Sequence, residues 1–265
     1  MGERATRANR LQSLERGIAV IQVFSRDHPS LTLSEVARMT GVTRATARRI
    51  LLTLEDLGHV RSDGRRFSLT PRVLSLGWAY LSSLNLWEIA QPLMEELVEE
   101  TGESSSAATL DLPDIVYVAR VPTRRIMTIA LGVGTRLPAY ATSMGRVLLA
   151  ALPEDELDGF LAGGRFEALT EHTVTEPARL REIIGDVRAE GHALVDEELE
   201  IGLRSIAVPL TGADGRTMAA LNVSAAAPRV DLDELRERLL PALRSTGEAI
   251  SSALRRSGAS APGVR

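Results

Sequence analysis

Two short amphipathic segments meet at Gly41-Val42, and this junction restricts the possible folds more than any other feature of the chain. Before it, Thr32-Leu33-Ser34-Glu35 fits a capping box that starts a short helix, and after it Thr43 can cap a second helix. Glycine permits the positive φ of a tight turn, and the small Ala37 suits a close crossing of two helices. The pattern therefore predicts a helix-turn-helix.

The flanking segments extend this motif on both sides. Apolar residues recur every three or four positions between Leu14 and Phe24, which predicts a preceding helix with Ser13 as its N-cap. After Gly58, two short strands flank Asp63-Gly64, which predicts a type I′ hairpin with positive φ at both turn residues. The inward residues predicted for the second helix of the motif are Ala47, Ile50, Leu51, Leu54 and Leu57.

The charge distribution favours nucleic acid as the partner of this region. Residues 1–71 contain 12 arginines and 7 acidic residues, a net charge of +5, whereas residues 72–265 carry −9. Arginine can make bidentate contacts with guanine in the major groove, and an Arg-tipped hairpin can touch phosphates or the minor groove. The predicted DNA-contacting residues are Thr32, Arg44, Ala45, Thr46, Arg48, Arg49, Arg61, Arg65 and Arg66. The alternative is a basic three-helix domain that binds protein.

Composition excludes several classes of site. The chain of 265 residues has no cysteine, which excludes a disulfide-stapled fold, a thiol nucleophile and a thiolate-bound metal. Its four histidines lack metal-ligand spacing, so we expect neither a metal nor another cofactor. No signal-like apolar run begins the chain and no stretch approaches about 18 apolar residues, so we expect a soluble, cytoplasmic protein.

The remaining chain predicts a linker and a second domain of the α+β class with a largely antiparallel sheet. We predict a winged helix-turn-helix domain at 11–71, a linker helix at 72–84, a larger domain at 85–256 and a disordered tail at 257–265. The apolar stripe of the linker helix can pair with a partner chain or pack on its own domain. One predicted strand of the larger domain is Ile126–Leu131.

Strand alternation indicates a binding face in the larger domain. In residues 203–208, Ser205 alternates with Ile206 and Val208, and in residues 220–224 Asn222 and Ser224 share one face. If the two strands form a hairpin with its apolar face on the helices, these three polar side chains converge on the other face and can line a ligand pocket. The alternative is that this face is solvated. Tyr140 and Ser143 precede a predicted helix N-terminus at Met144-Gly145, which can hold a carboxylate.

Over residues 11–255 the chain resembles the IclR family of bacterial transcriptional regulators. The matching segments are residues 13–17 (SLERG), 43–49 (TRATARR), 138–152 (PAYATSMGRVLLAAL) and 196–224, which includes GLRSIAVPL and ALNVS. Residues 67–106 are most similar to regulators of the β-ketoadipate pathway, which control protocatechuate or 4-hydroxybenzoate catabolism.

This resemblance implies a winged helix-turn-helix that binds operator DNA, a linker helix that mediates dimerisation and a GAF-like effector-binding domain. The assembly would be a homodimer or a dimer of dimers, with a small carboxylate effector, aromatic or a ring-cleavage product. The implied effector positions are Ser143, Met144, Ser205, Asn222 and Ser224, to which we add Tyr140. Many family members have cysteine where Ser205 stands, so a redox-sensitive contact is not expected there.

Two other functions stay open at this point. A serine-dependent hydrolase of small esters or amides would use Ser205 or Ser143 as its nucleophile, with His172 or His192 as the base. No Gly-x-Ser-x-Gly elbow supports that alternative, so we predict that the protein is not an enzyme. The second alternative is a structural protein that binds only protein partners.

Overall fold

The computed structural model describes residues 11–84, 86–123 and 131–259. The chain divides into two compact units, Met1–Tyr80 and Leu81–Arg265. The boundary lies within the predicted linker helix. The predicted α+β class, with a helix-turn-helix followed by a larger domain on an antiparallel sheet, is confirmed.

The N-terminal unit contains helices and a small sheet. Its elements are α1 (Gln12–Gln22), β1 (Leu31–Thr32), α2 (Leu33–Thr40), α3 (Arg44–Asp56), β2 (Val60–Ser62) and β3 (Arg66–Leu69). A 3₁₀ turn at Pro71–Val73 then leads into α4 (Leu74–Leu84). The capping box predicted at Thr32 is present, and Gly41 ends α2 in the left-handed conformation at φ 68°. These two features set the start of α2 and the turn into α3.

Three local predictions in this unit are wrong. Leu11, not Ser13, is the N-cap of α1, and no side chain caps that helix. Leu57 follows the end of α3 and is 54% exposed, because the helix has ended before its periodicity would bring this residue inward. Only Gly64 of the hairpin turn has positive φ, since the Asp63 carboxylate accepts hydrogen bonds from the amides of Arg65 and Arg66 and holds the turn instead.

The C-terminal unit is built on a six-stranded antiparallel sheet with the order β6-β5-β4-β9-β8-β7. After α5 (Leu86–Thr101), the strands and helices are β4 (Ser104–Asp111), β5 (Asp114–Val121), β6 (Arg136–Pro138), α6 (Ser143–Ala150), α7 (Glu154–Gly163), α8 (Pro177–Glu190), β7 (Ala193–Asp196), β8 (Leu203–Thr211) and β9 (Thr217–Ala226). An irregular helical stretch, Leu232–Leu239, precedes the closing helix α9 (Leu240–Ser257).

Helices cover both faces of this sheet. Ile206, Val208, Leu221 and Val223 pack in one core with α5 and α9, whereas Ala207 and Ala220 belong to a second core with α6 and α8. The predicted alternation of β8 and β9 is therefore confirmed. A largely antiparallel sheet can leave one face in water. Here α6 and its neighbours lie over the small-residue face instead.

Two predictions fall partly outside the described residues. The predicted strand Ile126–Leu131 lies outside them except for Leu131, and the predicted tail does so from residue 260 onward. The described part of that tail shows the last helix ending at Ser257, before Gly258 at φ 74°. Within the described ranges, we find no helix that is both long and apolar enough to span a membrane.

Candidate DNA interface and effector site

The helix α3 has one apolar side and one cationic side. Thr43 caps it, with its Oγ1 accepting a hydrogen bond from the Thr46 amide at 3.2 Å. Ala47, Leu51 and Leu54 are buried, which places the opposite side of the helix in solvent. The exposed residues there include four of the predicted DNA contacts, namely Arg44, Ala45, Arg48 and Arg49, and Thr46 is half-buried beside them.

Thr32 is committed to the fold by the capping box. Its amide and hydroxyl both donate to Glu35 Oε2, at 2.7 and 2.9 Å, and its Oγ1 accepts from the Glu35 amide. These hydrogen bonds, with that from the Thr32 amide as the largest contribution, lower the pKa of the Glu35 carboxyl. A DNA contact by Thr32, as predicted, would have to form without breaking these hydrogen bonds.

The three arginines of the β2–β3 hairpin differ in their surroundings. Arg66 reaches back to the loop before β1, where its Nε donates to Ser30 Oγ at 2.7 Å and its Nη2 lies 3.6 Å from Glu35 Oε2. Arg61 Nε donates to Ser68 Oγ across the hairpin at 3.1 Å. Arg65 is exposed at the tip of the turn. Sequence reasoning treated the three as equivalent, although Arg66 also joins separate parts of the unit.

An apolar cavity of about 890 Å³ opens on the surface of the N-terminal unit. Residues of α1 and α3 line it together with His59 and with Leu76 of α4. Two of these helices, α1 and α4, also expose several large apolar side chains. They are Leu14 and Ile18 of α1 and Leu74, Leu76, Trp78 and Tyr80 of α4. A patch of this kind on a small unit is typical of a protein–protein contact.

In the C-terminal unit, three of the predicted effector residues, Ser205, Asn222 and Ser224, lie in two parallel rows across the sheet. In the first row, Ser104 of β4 pairs with Ser224 of β9, which pairs with Ser205 of β8. In the second, Ser106 pairs with Asn222, which pairs with Ala207. Directly paired residues point to the same face, so these small polar side chains form one surface. We call the two rows the serine face.

Asn222 links the rows through its side-chain amide. Its Oδ1 accepts a hydrogen bond from the Ser106 amide at 3.0 Å, and its Nδ2 donates to Ser224 Oγ at 3.0 Å. A backbone N–H can only donate, so the orientation of the Asn222 amide is determined. Asn222 is 3% exposed, so the alternative prediction of a solvated face is wrong at this residue, whereas Ser205 and Ser224 are half-buried. One Nδ2 hydrogen remains for another acceptor.

The N-terminus of α6 lies in the core on the same side of the sheet. Thr142 Oγ1 caps this helix by accepting from the Gly145 amide at 3.1 Å. Met144 and Ser143 are each 1% exposed, and Ser143 Oγ has no hydrogen-bond partner among the described residues. A buried hydroxyl without a partner costs free energy, so it calls for an explanation such as a bound ligand or water.

Tyr140 is buried next to this helix start and is already hydrogen-bonded. Its hydroxyl donates to the Glu167 carbonyl at 2.7 Å, and its ring packs edge-on against Phe166 with 5.1 Å between centroids. Burial raises the pKa of the Tyr140 hydroxyl, which keeps it protonated. Tyr140 can therefore contribute an aromatic wall, and its hydroxyl can accept a hydrogen bond.

An ion pair holds α6 to the loop after β7. Arg146 is 2% exposed, and its Nη1 and Nη2 donate to the two carboxylate oxygens of Glu198 at 2.7 and 2.6 Å. Glu198 Oε2 also accepts from the Val174 amide at 3.0 Å. The fork geometry neutralises both charges in the interior. These contacts give Glu198 a structural role.

Sequence reasoning missed Ser104 and Ser106 of the serine face and also Arg120 beside it. Ser104 and Ser106 alternate along β4 as Asn222 and Ser224 do along β9, so the same period-two signal was present. Arg120 of β5 pairs with Ser106, and its Nη1 donates to Ser106 Oγ at 3.3 Å. The sequence signal for Arg120 is weaker, because a bulge between Ala107 and Ala108 shifts the register of β4 against β5.

The geometry does not support the hydrolase alternative. A serine nucleophile needs a base within hydrogen-bonding reach. Ser143 Oγ has no partner in the part of the chain that the structure describes. His192 Nδ1 instead lies 3.2 Å from Arg244 Nη2, and its Nε2 is 3.6 Å from the Glu190 carboxylate.

Comparison with known proteins places both units in one family. The model of the IclR helix-turn-helix domain matches residues 13–64, and the model of the bacterial transcriptional regulator IclR C-terminal domain matches residues 78–252. The chain belongs to the IclR family of bacterial transcriptional regulators. The predicted resemblance is thereby confirmed, and with it a helix-turn-helix of the DNA-binding type.

Individual relatives agree with this assignment. The chain is 47% identical to the Pca regulon regulatory protein of Pseudomonas putida over 88% of this chain and 80% of the relative. It is also similar to the crystal structure of a transcriptional regulator from Rhodococcus, with a TM-score of 0.85 and 54% identity over 94% of this chain and 100% of that one. Both relatives are named as regulators, which supports the prediction that this chain is not an enzyme.

A third relative is a single effector-binding domain. The inducer-binding domain of the PobR transcription factor from Acinetobacter, solved as a double mutant with 3-hydroxybenzoic acid, is 33% identical with a TM-score of 0.59. The match covers 62% of this chain and 96% of that domain.

Proposed function

We propose that this IclR-family regulator binds an aromatic acid, or a ring-cleavage product of one, at the serine face and that binding alters its affinity for operator DNA. The observation that carries the proposal is the buried Ser143 Oγ without a partner, on a helix that packs against the small-residue side of the sheet. An effector oxygen would give this hydroxyl the hydrogen bond that it lacks.

The chemistry of the surroundings fits a small aromatic acid. Ser205, Ser224 and Asn222 offer hydroxyl and amide groups, while Met144 and Tyr140 offer apolar and aromatic surface. Pockets for small ligands combine an apolar lining with a few polar groups in this manner. The names of the relatives point to the same class, since one regulates a Pca regulon and another was solved with 3-hydroxybenzoic acid.

In this proposal α3 and the β2–β3 hairpin contact the operator. The predicted contacts Arg44, Ala45, Thr46, Arg48, Arg49, Arg61, Arg65 and Arg66 lie in the N-terminal unit, and Thr32 would act by capping α2. The exposed apolar residues of α1 and α4 would join two chains into a homodimer, which can assemble further into a dimer of dimers. A regulator of this type acts where the chromosome is, so we place it in the cytoplasm.

The effector can change DNA binding only if it binds one arrangement of the dimer more tightly than another. The test is a thermal-shift screen of the full chain with protocatechuate, 4-hydroxybenzoate, β-ketoadipate and short 2-oxo acids. A ligand at about 100 times its Kd stabilises the folded state by about 2.7 kcal/mol, which gives a measurable rise in Tm. The same ligand is then titrated into a gel shift with the promoter fragment.

We expect at least one aromatic acid or β-ketoadipate to raise the Tm and to change the apparent Kd for operator DNA. If none of these acids raises the Tm, the proposed class of effector is wrong. A rise in Tm without any change in DNA binding would contradict the regulatory coupling. Hydrolysis of activated esters by purified protein, abolished by Ser143→Ala, would instead favour the hydrolase.

A further inference from the structure

We propose that Arg120 binds the carboxylate of the effector and makes the site select acids over neutral compounds of the same shape. This inference rests on the proposed function, because it assigns one residue to one chemical group of the proposed ligand. It names a residue that strand alternation and the family resemblance both left out.

Arg120 extends the second row of the serine face onto β5. It pairs with Ser106, which pairs with Asn222, so the three side chains point to the same side of the sheet. Hydrogen bonds connect them, from Arg120 Nη1 to Ser106 Oγ at 3.3 Å and from the Ser106 amide to Asn222 Oδ1 at 3.0 Å. Ser106 of β4 therefore lies between Asn222 and Arg120, and a ligand that spans Ser106 can reach both side chains.

Arg120 supplies the positive charge of this face. Ser104, Ser106, Ser205, Ala207, Asn222 and Ser224 are all uncharged. Arg146 lies in the same core, but its guanidinium is paired in a fork with Glu198. Among the described residues of these two rows and their continuation onto β5, Arg120 is the positively charged side chain, so we assign recognition of the carboxylate to it.

The surroundings of Arg120 favour an anion beside it. Arg120 is half-buried, and burial lowers the pKa of its guanidinium, while the neighbouring Tyr117 opposes that shift. Burial also raises the pKa of Tyr117 to about 12, so its hydroxyl stays neutral. A partly desolvated cation gains free energy when an anion approaches, and a guanidinium matches a carboxylate with two parallel hydrogen bonds.

The experiment compares an acid with its neutral amide on matched variants of the full chain. Calorimetry measures the Kd of 4-hydroxybenzoate, protocatechuate and 4-hydroxybenzamide for wild type, Arg120→Gln, Arg120→Lys and Arg136→Gln. Arg136 is the control because it is an exposed arginine on the neighbouring strand β6, paired with Asp111 and Asp114. Thermal unfolding without ligand reports on the fold of each variant.

We expect Arg120→Gln to weaken binding of the acids by about 30-fold or more, as is typical for loss of one partner of a buried charge pair. Binding of the amide should change by less than about 3-fold, so the preference for the acid disappears. Arg120→Lys should keep part of that preference, since it keeps the charge but loses the fork. Arg136→Gln should match wild type.

Three results would overturn the inference. Equal weakening of acid and amide in Arg120→Gln would make Arg120 a structural residue that supports Ser106. Wild-type affinity for the acids in Arg120→Gln would place the carboxylate elsewhere, while the proposed function stands. If wild type binds none of the three compounds, the assignment of Arg120 to the carboxylate of an aromatic acid fails, whereas the proposed function fails only if the ring-cleavage and 2-oxo acids of the thermal-shift screen also do not bind.

Discussion

At the scale of single residues, similar side chains in this protein have different roles because their hydrogen bonds differ. Arg146 and Glu198 are paired in the interior, whereas Arg48 is exposed on the cationic side of α3. Ser205 and Asn222 share a face, but Asn222 holds the Ser106 amide and Ser224 in place. The effect of a substitution therefore follows from the contacts of the residue as well as from its type.

Arg48→Ala should weaken binding to operator DNA while leaving the free energy of unfolding unchanged. If Arg48 reads a base edge, the loss is about 1–3 kcal/mol and depends on the operator sequence. If it contacts phosphate, the salt slope of the logarithmic affinity falls by about 1 and all sequences lose equally. Fluorescence anisotropy at several salt concentrations distinguishes the two. Unchanged binding under every condition would remove α3 from the interface.

Ser205→Ala and Asn222→Ala should both weaken effector binding by about 1–3 kcal/mol, because each leaves a polar group of the ligand unpaired. Only Asn222→Ala should also lower the free energy of unfolding, since it removes the acceptor of the Ser106 amide in a buried strand. Calorimetry and denaturant unfolding give the two quantities. Effector affinity equal to wild type in both variants would place the ligand away from the serine face.

At the scale of elements, the loops and helix starts position the side chains that we assign to function. The turn of the hairpin is held by Asp63, and Arg66 fastens β3 to the loop before β1. The start of α6 is held by the Thr142 cap and by a close approach to the 3₁₀ turn at Ala139–Ala141. Both elements are short, so single contacts have large effects.

Arg65→Ala and Arg66→Ala should differ although the residues are adjacent. Arg65→Ala should lower affinity for operator and non-operator DNA alike, since a hairpin tip mainly contacts the backbone or minor groove. Arg66→Ala should also lower the Tm of the protein, because it removes the hydrogen bonds to Ser30 and the contact with Glu35. Anisotropy and thermal unfolding test this. Loss confined to the operator with Arg65→Ala would mean that the hairpin reads bases.

Gly145→Ala should destabilise the C-terminal unit. A Cβ at this position would lie 2.1 Å from the Ala139 carbonyl oxygen, so the 3₁₀ turn and α6 would have to move apart. Overpacking of this kind costs about 1–3 kcal/mol or more. Gly185→Ala in α8 is the control, since nothing lies within 4 Å of its added Cβ and alanine favours a helix by about 1 kcal/mol. Urea unfolding should give a lower free energy of unfolding than wild type for Gly145→Ala and a higher one for Gly185→Ala. Equal free energies of unfolding in the two variants would contradict the close approach.

At the scale of the whole molecule, the proposal assigns DNA binding to the N-terminal unit and effector binding to the C-terminal unit. The proposed homodimer would let effector binding change the affinity for DNA. Winged helix-turn-helix units commonly bind two half-sites as a dimer, with a spacing set by the helical repeat of DNA. The apolar residues exposed on α1 and α4 are the surface that we assign to this pairing.

Leu76→Asp with Trp78→Ser should shift the chain from dimer toward monomer, because it places polar groups on the apolar side of α4. The two side chains are 57% and 56% exposed in the single chain, so the substitutions should leave its Tm little changed. Sedimentation velocity measures the oligomeric state. A control with Leu112→Asp, also exposed but on the β4–β5 turn, should stay dimeric. If the double variant remains dimeric, another surface joins the chains.

Local sequence signals determined much of this architecture. The capping box at Thr32, the glycine turn at Gly41 and the period-two pattern of β8 and β9 depend on neighbours within about four residues, and the structure shows all three. Tertiary contacts determined three features that local sequence patterns do not predict. The Asp63 carboxylate holds the hairpin turn, and Arg66 donates a hydrogen bond to Ser30 in the loop before β1. The helix α6 covers a sheet face that alternation alone could leave in water.

The effector site shows the same division most clearly. Ser205, Asn222 and Ser224 were predicted because they alternate within their own strands, which is a local property. Arg120 and Ser106 join them only because β4 pairs with both β5 and β9, over 14 and 116 positions of the chain. Strand order and a bulge between Ala107 and Ala108 set that register. Because such pairing depends on the packing of the whole sheet, the position of the cation relative to the serine face was decided by the tertiary structure alone.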